Sequence, residues 1–348
     1  MWLNFFKNYC STIVAISFVV LFYQTVPYYV WFFNKVFAIP TRNVTFHSDR
    51  LFLAIWIVYA IGLLWYYYIY SSPSTSRQIW SYLISQMTSV PQNRSPQIKQ
   101  YFLKFVVKFF FAPLMVFWMT DHCVTLINNL YAMSGDIAML WSDFSTFFIK
   151  HLFWNLFSLI LFLDVFFFTI WYLTERDILD NNIKSVQPYA IWWIVALMCY
   201  PPFNTVTSSI LQRYSTDFPQ FAYSWLTVVV GLLICVLMGI YTWASISLGW
   251  KASNLTNRGI VSHGPYAYIR HPAYICKNAA WTLGALPVIF KLAIWWEWFA
   301  IIWVLFSLLG RWAIYYARAL TEEMHLWEDP DYLAYRQKVK YRYIPGLF

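Results

Sequence analysis

The chain predicts an all-α, polytopic transmembrane helix bundle, and three observations carry that prediction. Of its 348 residues, 60% are hydrophobic and only 11% charged, less than half the roughly 25% charge of an ordinary soluble domain. The apolar residues run in continuous blocks near the ~20-residue length that crosses a hydrocarbon core as a helix. Those blocks do not alternate, as the strands of a membrane barrel would.

Taken in order, the blocks predict about eight spans, with six or seven as the lower counts. They cover residues 11–33, 51–70, 102–120, 147–173, 189–203, 225–246, 278–290 and 292–311. The first is too long and too aromatic for a signal peptide and lacks a small-residue cleavage site, so it reads as a retained helix. The fifth and seventh are short and read as tilted or re-entrant pieces. The last two nearly touch around Lys291, which predicts a tight hairpin there. Between the second and third lies a Ser/Pro/Asn-rich linker, 71–96, in which Trp80, Tyr82 and Leu83 suggest a short interfacial helix. Asp164, deep in the fourth span, is an intramembrane acid that reads as a hydrogen-bonded structural group.

Lysine and arginine set the expected orientation. The connection 121–146 has neither but carries Asp121, Asp136 and Asp143, and should face away from the cytoplasm. Arg77, Arg94, Lys99, Lys104 and Lys108 mark a cytoplasmic segment, whereas Lys35, Arg42 and Arg50 fall in an outside loop. Both termini are then cytoplasmic, as are the loop with Lys251, Arg258 and Arg270 and the tail with Arg336, Lys338, Lys340 and Arg342. The net charge of +9 suits anionic headgroups and asks for no nucleic acid. Five cysteines, Cys10, Cys123, Cys199, Cys235 and Cys276, have no metal or disulfide spacing. There is no P-loop, dinucleotide-binding or HExxH pattern, so no metal is expected.

Chemistry-bearing residues concentrate in 221–348, whereas 1–220 reads as transmembrane helices of unassigned role. Gly264-Pro265-Tyr266-Ala267-Tyr268-Ile269-Arg270-His271-Pro272-Ala273-Tyr274 is a rigid, polar and aromatic stretch, with its prolines fixing two turns. Further on, Glu322-Glu323 lead to Tyr332, Tyr335 and Tyr341-Arg342-Tyr343-Ile344-Pro345-Gly346. Taken singly, these residues have plainer readings. Arg270 and His271 would serve as interfacial anchors, the glutamates as a solvated helix segment, and the tyrosines as an interface belt.

In this order the segments resemble the isoprenylcysteine carboxyl methyltransferase and phospholipid methyltransferase superfamily of integral membrane enzymes. The resemblance covers 248–345. It implies a cytoplasmic catalytic loop and C-terminal tail that bind S-adenosyl-L-methionine as methyl donor. The cofactor-binding residues that the resemblance implies are Gly264, Pro265, Tyr266, Arg270, His271, Pro272, Tyr274, Glu322 and Glu323, with Tyr268 expected to line the cofactor or the lipid entrance beside them. Arg270, His271, Glu322 and Glu323 are the implied catalytic set, and Tyr332, Tyr335 and Arg342 the implied substrate contacts.

The residue types suit that donor. Carboxylates and aromatic faces stabilise a sulfonium, and arginine or histidine suits the donor's own carboxylate. The resemblance implies carboxyl O-methylation of an isoprenylcysteine-like lipidated acceptor, with phospholipid amine N-methylation as the alternative. A nicotinamide-dependent, sterol-reductase-like enzyme and a non-catalytic lipid-binding membrane protein are the remaining readings. The expected location is the endoplasmic reticulum in a eukaryote or the inner membrane in a bacterium. Two departures stand out. Cys276 replaces the usual glycine after the motif tyrosine and is followed by Lys277, and Trp327-Glu328-Asp329-Pro330 replaces a Phe-Gly.

Overall fold

A computed structural model describes residues 2–39, 44–70, 74–88, 96–175, 179–211, 217–344 and 346. Arg42, Arg94 and Pro345, and the side chains of Tyr82 and Leu83, lie outside the described residues. Among the described residues, six helices are long and apolar enough to cross a membrane, so the chain is a multi-pass membrane protein with a helical bundle fold. The chain forms two compact units, 1–117 and 118–348.

In the first unit, α1 (Trp2–Thr25) begins well before the expected start at residue 11 and breaks before α2 (Pro27–Asn34). Pro27 explains the break: it opens α2, where its missing N–H costs nothing. An antiparallel hairpin of β1 (Val36–Ile39) and β2 (Val44–His47) leads into α3 (Ser48–Ile69). The Thr12 and Tyr67 hydroxyls meet at 2.8 Å between α1 and α3. The predicted interfacial helix is α4 (Thr75–Thr88), whose Trp80 indole donates to the Ser11 carbonyl at 3.2 Å.

The 40-residue helix α5 (Pro96–Gly135) carries the unit boundary. It continues well past residue 120, so Asp121 is helical and the acidic connection shrinks to the residues around Asp136 and Asp143. Short α6 (Met139–Ser142) and α7 (Phe144–Phe147) follow, then one π turn and α8 (Phe153–Leu173). At this end His151 meets Asp136 at 2.8 Å.

α8 lies parallel to α11 (Ser224–Leu248). The Thr242 hydroxyl donates to the Ile160 carbonyl at 3.1 Å, and the Tyr241 hydroxyl to Asp164 at 2.8 Å. Phe148, Phe153, Phe157, Ile234 and Met238 form the core between them. Gly231 lets this core close, since a Cβ there would lie 2.9 Å from the Phe148 ring.

Because α8 and α11 are parallel, the chain between them must return across the bundle, and the described residues of that return are 174–175, 179–211 and 217–223. β3 (Ser185–Val186) pairs with β4 (Thr256–Asn257) at the starting end. At the other end Phe218 packs on Phe153 and Phe221 on Phe290. Between them run α9 (Ala190–Leu197) and α10 (Asn204–Ile210). The expected fifth span is therefore a broken crossing, interrupted where Pro201 and Pro202 withhold backbone donors. Such a break is tolerated at membrane depth only inside protein. Here Arg311 donates to the Leu211 carbonyl at 2.9 Å, and the Thr207 hydroxyl to the Met198 carbonyl at 3.2 Å.

The closing hairpin is α12 (Pro272–Ile294) and α13 (Trp298–Leu326). Its turn falls at residues 295–297, not at Lys291, which is helical. The i-to-i−4 ladder simply runs on past the lysine, and the chain reverses where Trp296 adopts φ +58°. The tail then forms α14 (Pro330–Lys338).

Candidate functional site

The loop after α11 is shaped by one glycine. Gly264 has φ +60°, a conformation that L residues rarely adopt, and a Cβ there would collide with the Ser247 hydroxyl. It starts a 3-10 turn, Gly264–Ala267, that buries Pro265 and Tyr266. Tyr266 packs with Ala244, Tyr332, Tyr335 and Val339, and the Tyr335 hydroxyl donates to its carbonyl at 2.8 Å. Burial pushes the Tyr266 phenol well above its ordinary range. Beyond the turn, the backbone amides of Arg270 and His271 donate to the carbonyls of Tyr341 and Arg342 at 3.0 and 3.1 Å. Pro272 then starts α12, where a proline is preorganised.

Glu323 is the hub of the tail clasp. Its side chain is 2% exposed. Arg270 Nε and Arg342 Nε both reach Oε1 at 2.9 Å, Arg342 Nη2 reaches Oε2 at 2.8 Å, and His271 Nε2 lies 3.1 Å from Oε1. The second nitrogen of Arg270 donates to the Val339 and Lys340 carbonyls at 2.9 and 2.6 Å. One carboxylate thus ties α13, the loop that enters α12 and the tail together. The bond from Glu323 holds the Arg342 guanidinium above its usual value.

Glu322 has a different setting. One third of its side chain is exposed. It accepts from the Tyr274 hydroxyl and lies 3.3 Å from Arg318 Nε and 3.8 Å from His271 Nδ1. The His271 and Tyr274 rings stack at 5.5 Å with 7° between their planes. Arg318 also bonds Asn254, whose amide and side chain both donate to the Tyr172 hydroxyl at 2.8 and 2.9 Å. Its guanidinium lies over the Tyr274 and Tyr200 rings, at 5.2 and 5.4 Å. The result is a partly open carboxylate inside an aromatic and cationic frame, at the end of the bundle where α8, α11 and α13 finish.

The predicted residues therefore divide. Arg270, His271, Tyr274, Glu322, Glu323 and Arg342 come together. Gly264, Pro265 and Tyr266 form a packed floor on which Tyr332 and Tyr335 of the tail sit, and Pro272 starts α12. Tyr268 stands apart, 74% exposed. Arg318 and Asn254 were missed. Arg318 had one signal in the sequence, its i,i+4 spacing from Glu322, whereas Asn254 reaches it only through tertiary folding.

A buried guanidinium, Arg258, completes this end of the molecule by donating to the Trp171 and Asn181 carbonyls at 3.3 and 3.2 Å. Asp329 caps α14, accepting from the Asp331 amide at 3.0 Å and from Asn257 at 2.7 Å. No curated protein and no solved structure matches the chain. Residues 225–328, which contain both the Arg270–Tyr274 segment and the glutamate pair, match the family model described as the isoprenylcysteine carboxyl methyltransferase (ICMT) family.

Proposed function

We propose that the chain is an S-adenosylmethionine-dependent methyltransferase that methylates the carboxylate of an isoprenylcysteine-like acceptor. The observation that carries the reading is Glu322, a partly open carboxylate framed by His271, Tyr274 and Arg318 within the segment that matches the family. The residues fit a cationic donor. Glu322 is placed for its amine, Tyr274 and His271 offer π faces to a cation, and buried Tyr266 supplies apolar floor.

When bound, the donor supplies an electrophilic methyl group on a positively charged sulfur. The chain's own part is to place that group, exclude water and align an acceptor oxygen, a contribution of about 7–11 kcal/mol when orientation is good. A carboxylate acceptor needs no base at neutral pH, so no proton has to be moved. An amine acceptor would need one, and His271 or Glu322 is the group within reach of the site. The Arg270–Glu323–Arg342 clasp positions the tail and leaves Glu322 as the outward-facing acid.

The acceptor reaches the site from the bilayer, because a prenyl chain partitions there. The positive loop and tail favour a cytoplasmic site, with both termini on that side. That corresponds to the endoplasmic reticulum in a eukaryote or the inner membrane in a bacterium. Residues 221–348 act as the methyltransferase core.

The test uses the purified full chain, labelled donor and a panel of prenylcysteine, fatty-acid and phosphoethanolamine lipids. Saturable donor binding, weakened at least tenfold by Glu322→Gln, and a base-labile methylated prenylcysteine are expected. A base-stable product would reassign the acceptor as an amine. Binding of a reduced nicotinamide cofactor with no donor binding would sink the proposal.

A further inference from the structure

Lys277 lies one turn beyond Tyr274 on α12, where the motif departs from the family pattern. Its ammonium sits over three aromatic rings, 5.4 Å from the centroid of Tyr241 on α11, 5.2 Å from Trp281 on its own helix and 5.9 Å from Tyr315 on α13. Asp164 on α8 lies within electrostatic reach and bonds the Tyr241 hydroxyl at 2.8 Å. A second cation, Arg311, shares one of these rings, 5.9 Å from the centroid of Trp281. Aromatic faces stabilise a cation, and Asp164 adds an electrostatic interaction with this one. Ionisable groups at membrane depth are costly and characteristically mark ligand paths.

The Tyr315 ring links this cage to the candidate site. It packs against Tyr274 at 5.3 Å and Trp281 at 5.7 Å, and Tyr274 is the residue that holds Glu322. The same aromatic wall therefore carries an acid at the loop end and a cation one turn deeper. The acid suits a cationic donor, and the cation suits an anionic acceptor. Lys277 already fills the ring cage that an ammonium headgroup would seek, and like charge repels such a headgroup.

We propose that Lys277 is the specificity-determining residue for the acceptor, admitting a lipid-borne carboxylate between α11, α12 and α13 and rejecting a lipid-borne ammonium. The proposal rests on the methyltransferase reading given above and names the group that would choose between its two acceptor classes.

The test measures binding of three probes with one common farnesyl tail to the full chain in nanodiscs. They are N-acetyl-S-farnesylcysteine, its carboxamide, and farnesylated cysteamine with a free amine. Wild type should prefer the carboxylate over the carboxamide at least tenfold and bind the amine weakest. Lys277→Gln should bring carboxylate and carboxamide within about twofold, a roughly fivefold loss of preference that by the tenfold-per-1.4 kcal/mol rule is about 1 kcal/mol. Lys277→Arg should keep the preference, and Lys277→Glu should favour the amine.

A preference unchanged in Lys277→Gln would overturn the proposal, as would wild type binding all three probes alike or none. Donor binding measured on the same samples separates the two readings. Loss of donor binding in wild type removes the methyltransferase reading, whereas normal donor binding with an indifferent Lys277→Gln removes only this one.

Discussion

Glu323 shows how much one side chain can hold. Two arginines and a histidine converge on it, with side-chain exposures of 6%, 17% and 11%, so its removal leaves two largely buried guanidiniums without their carboxylate. Breaking a buried pair from one side costs about 3–5 kcal/mol. Glu323→Ala should therefore lower the melting temperature of the detergent-solubilised protein by that equivalent. Adding Arg342→Ala should cost less than the sum of the single changes, because the two residues share one interaction. An unchanged melting temperature in Glu323→Ala would remove the clasp from the account. Asp329 supplies the pH dependence of the same tail. Its burial opposes ionisation, but the Asn257 side chain, the Asp331 amide and Lys184 outweigh that and hold the carboxyl below its ordinary 3.8. Its folded value is the lower one, so its contribution is complete above 3.8 and fades as pH falls through the folded value. Proteolytic release of the tail should rise as pH drops below 3.8 in wild type. Asp329→Asn should flatten that rise, and parallel curves for the two proteins would contradict it.

At the scale of elements, what was legible in the sequence depended on whether the signal was local. Long apolar runs located α3, α8 and α11 to within a few residues, because a bilayer-spanning helix is specified by its own stretch of chain. The closing hairpin was misplaced because Lys291 looked like a charge at an interface. Its helix continues to Ile294 before the turn is made. The Arg270–Tyr274 segment and Glu322-Glu323 were readable from residue order, but Asn254 and Lys277 acquire their meaning from helices distant in sequence. The broken crossing was half visible: the shortness of the fifth run pointed to a tilted or re-entrant piece, while its break at Pro201 and Pro202 and its packing against α13 did not show. That packing turns on Gly310, where a Cβ would lie 2.7 Å from Leu211. Gly310→Leu should overpack the contact and cost about 1–3 kcal/mol. Leu211→Ala in the same chain should restore most of the lost thermal stability. If Gly310→Leu melts like wild type, the crossing does not pass α13 at this point.

Across the second unit the two ends differ in chemistry as sharply as in structure. One end gathers the loop with Lys251, Arg258 and Arg270 and the tail with Arg336, Lys338, Lys340 and Arg342. The opposite end, between α5 and α7, holds Asp136 and Asp143 with no lysine or arginine from 136 to 143. Between the ends, Val229, Leu232, Leu233 and Val236 on α11 and Phe299, Ile302, Phe306 and Leu309 on α13 are exposed, as side chains meeting lipid should be. The parallel course of α8 and α11 places residue 141 and residue 268 at opposite ends, and both are open, with Trp141 88% and Tyr268 74% exposed. Trp141→Cys and Tyr268→Cys, each introduced singly after replacing the five native cysteines, should then react with a membrane-impermeant maleimide from opposite sides of sealed vesicles. The positive end should be the cytoplasmic one, so in a bacterial inner membrane Tyr268→Cys should label only in inverted vesicles or after permeabilisation and Trp141→Cys in intact cells. In sealed endoplasmic-reticulum microsomes, Tyr268→Cys should instead label directly and Trp141→Cys only after permeabilisation. Labelling of both from one side would break the crossing assigned to residues 174–223, since without that crossing α8 and α11 could not run parallel. Opposite labelling with the sides exchanged would keep the fold and move the proposed donor site out of the cytoplasm, away from the compartment where a sulfonium methyl donor is made.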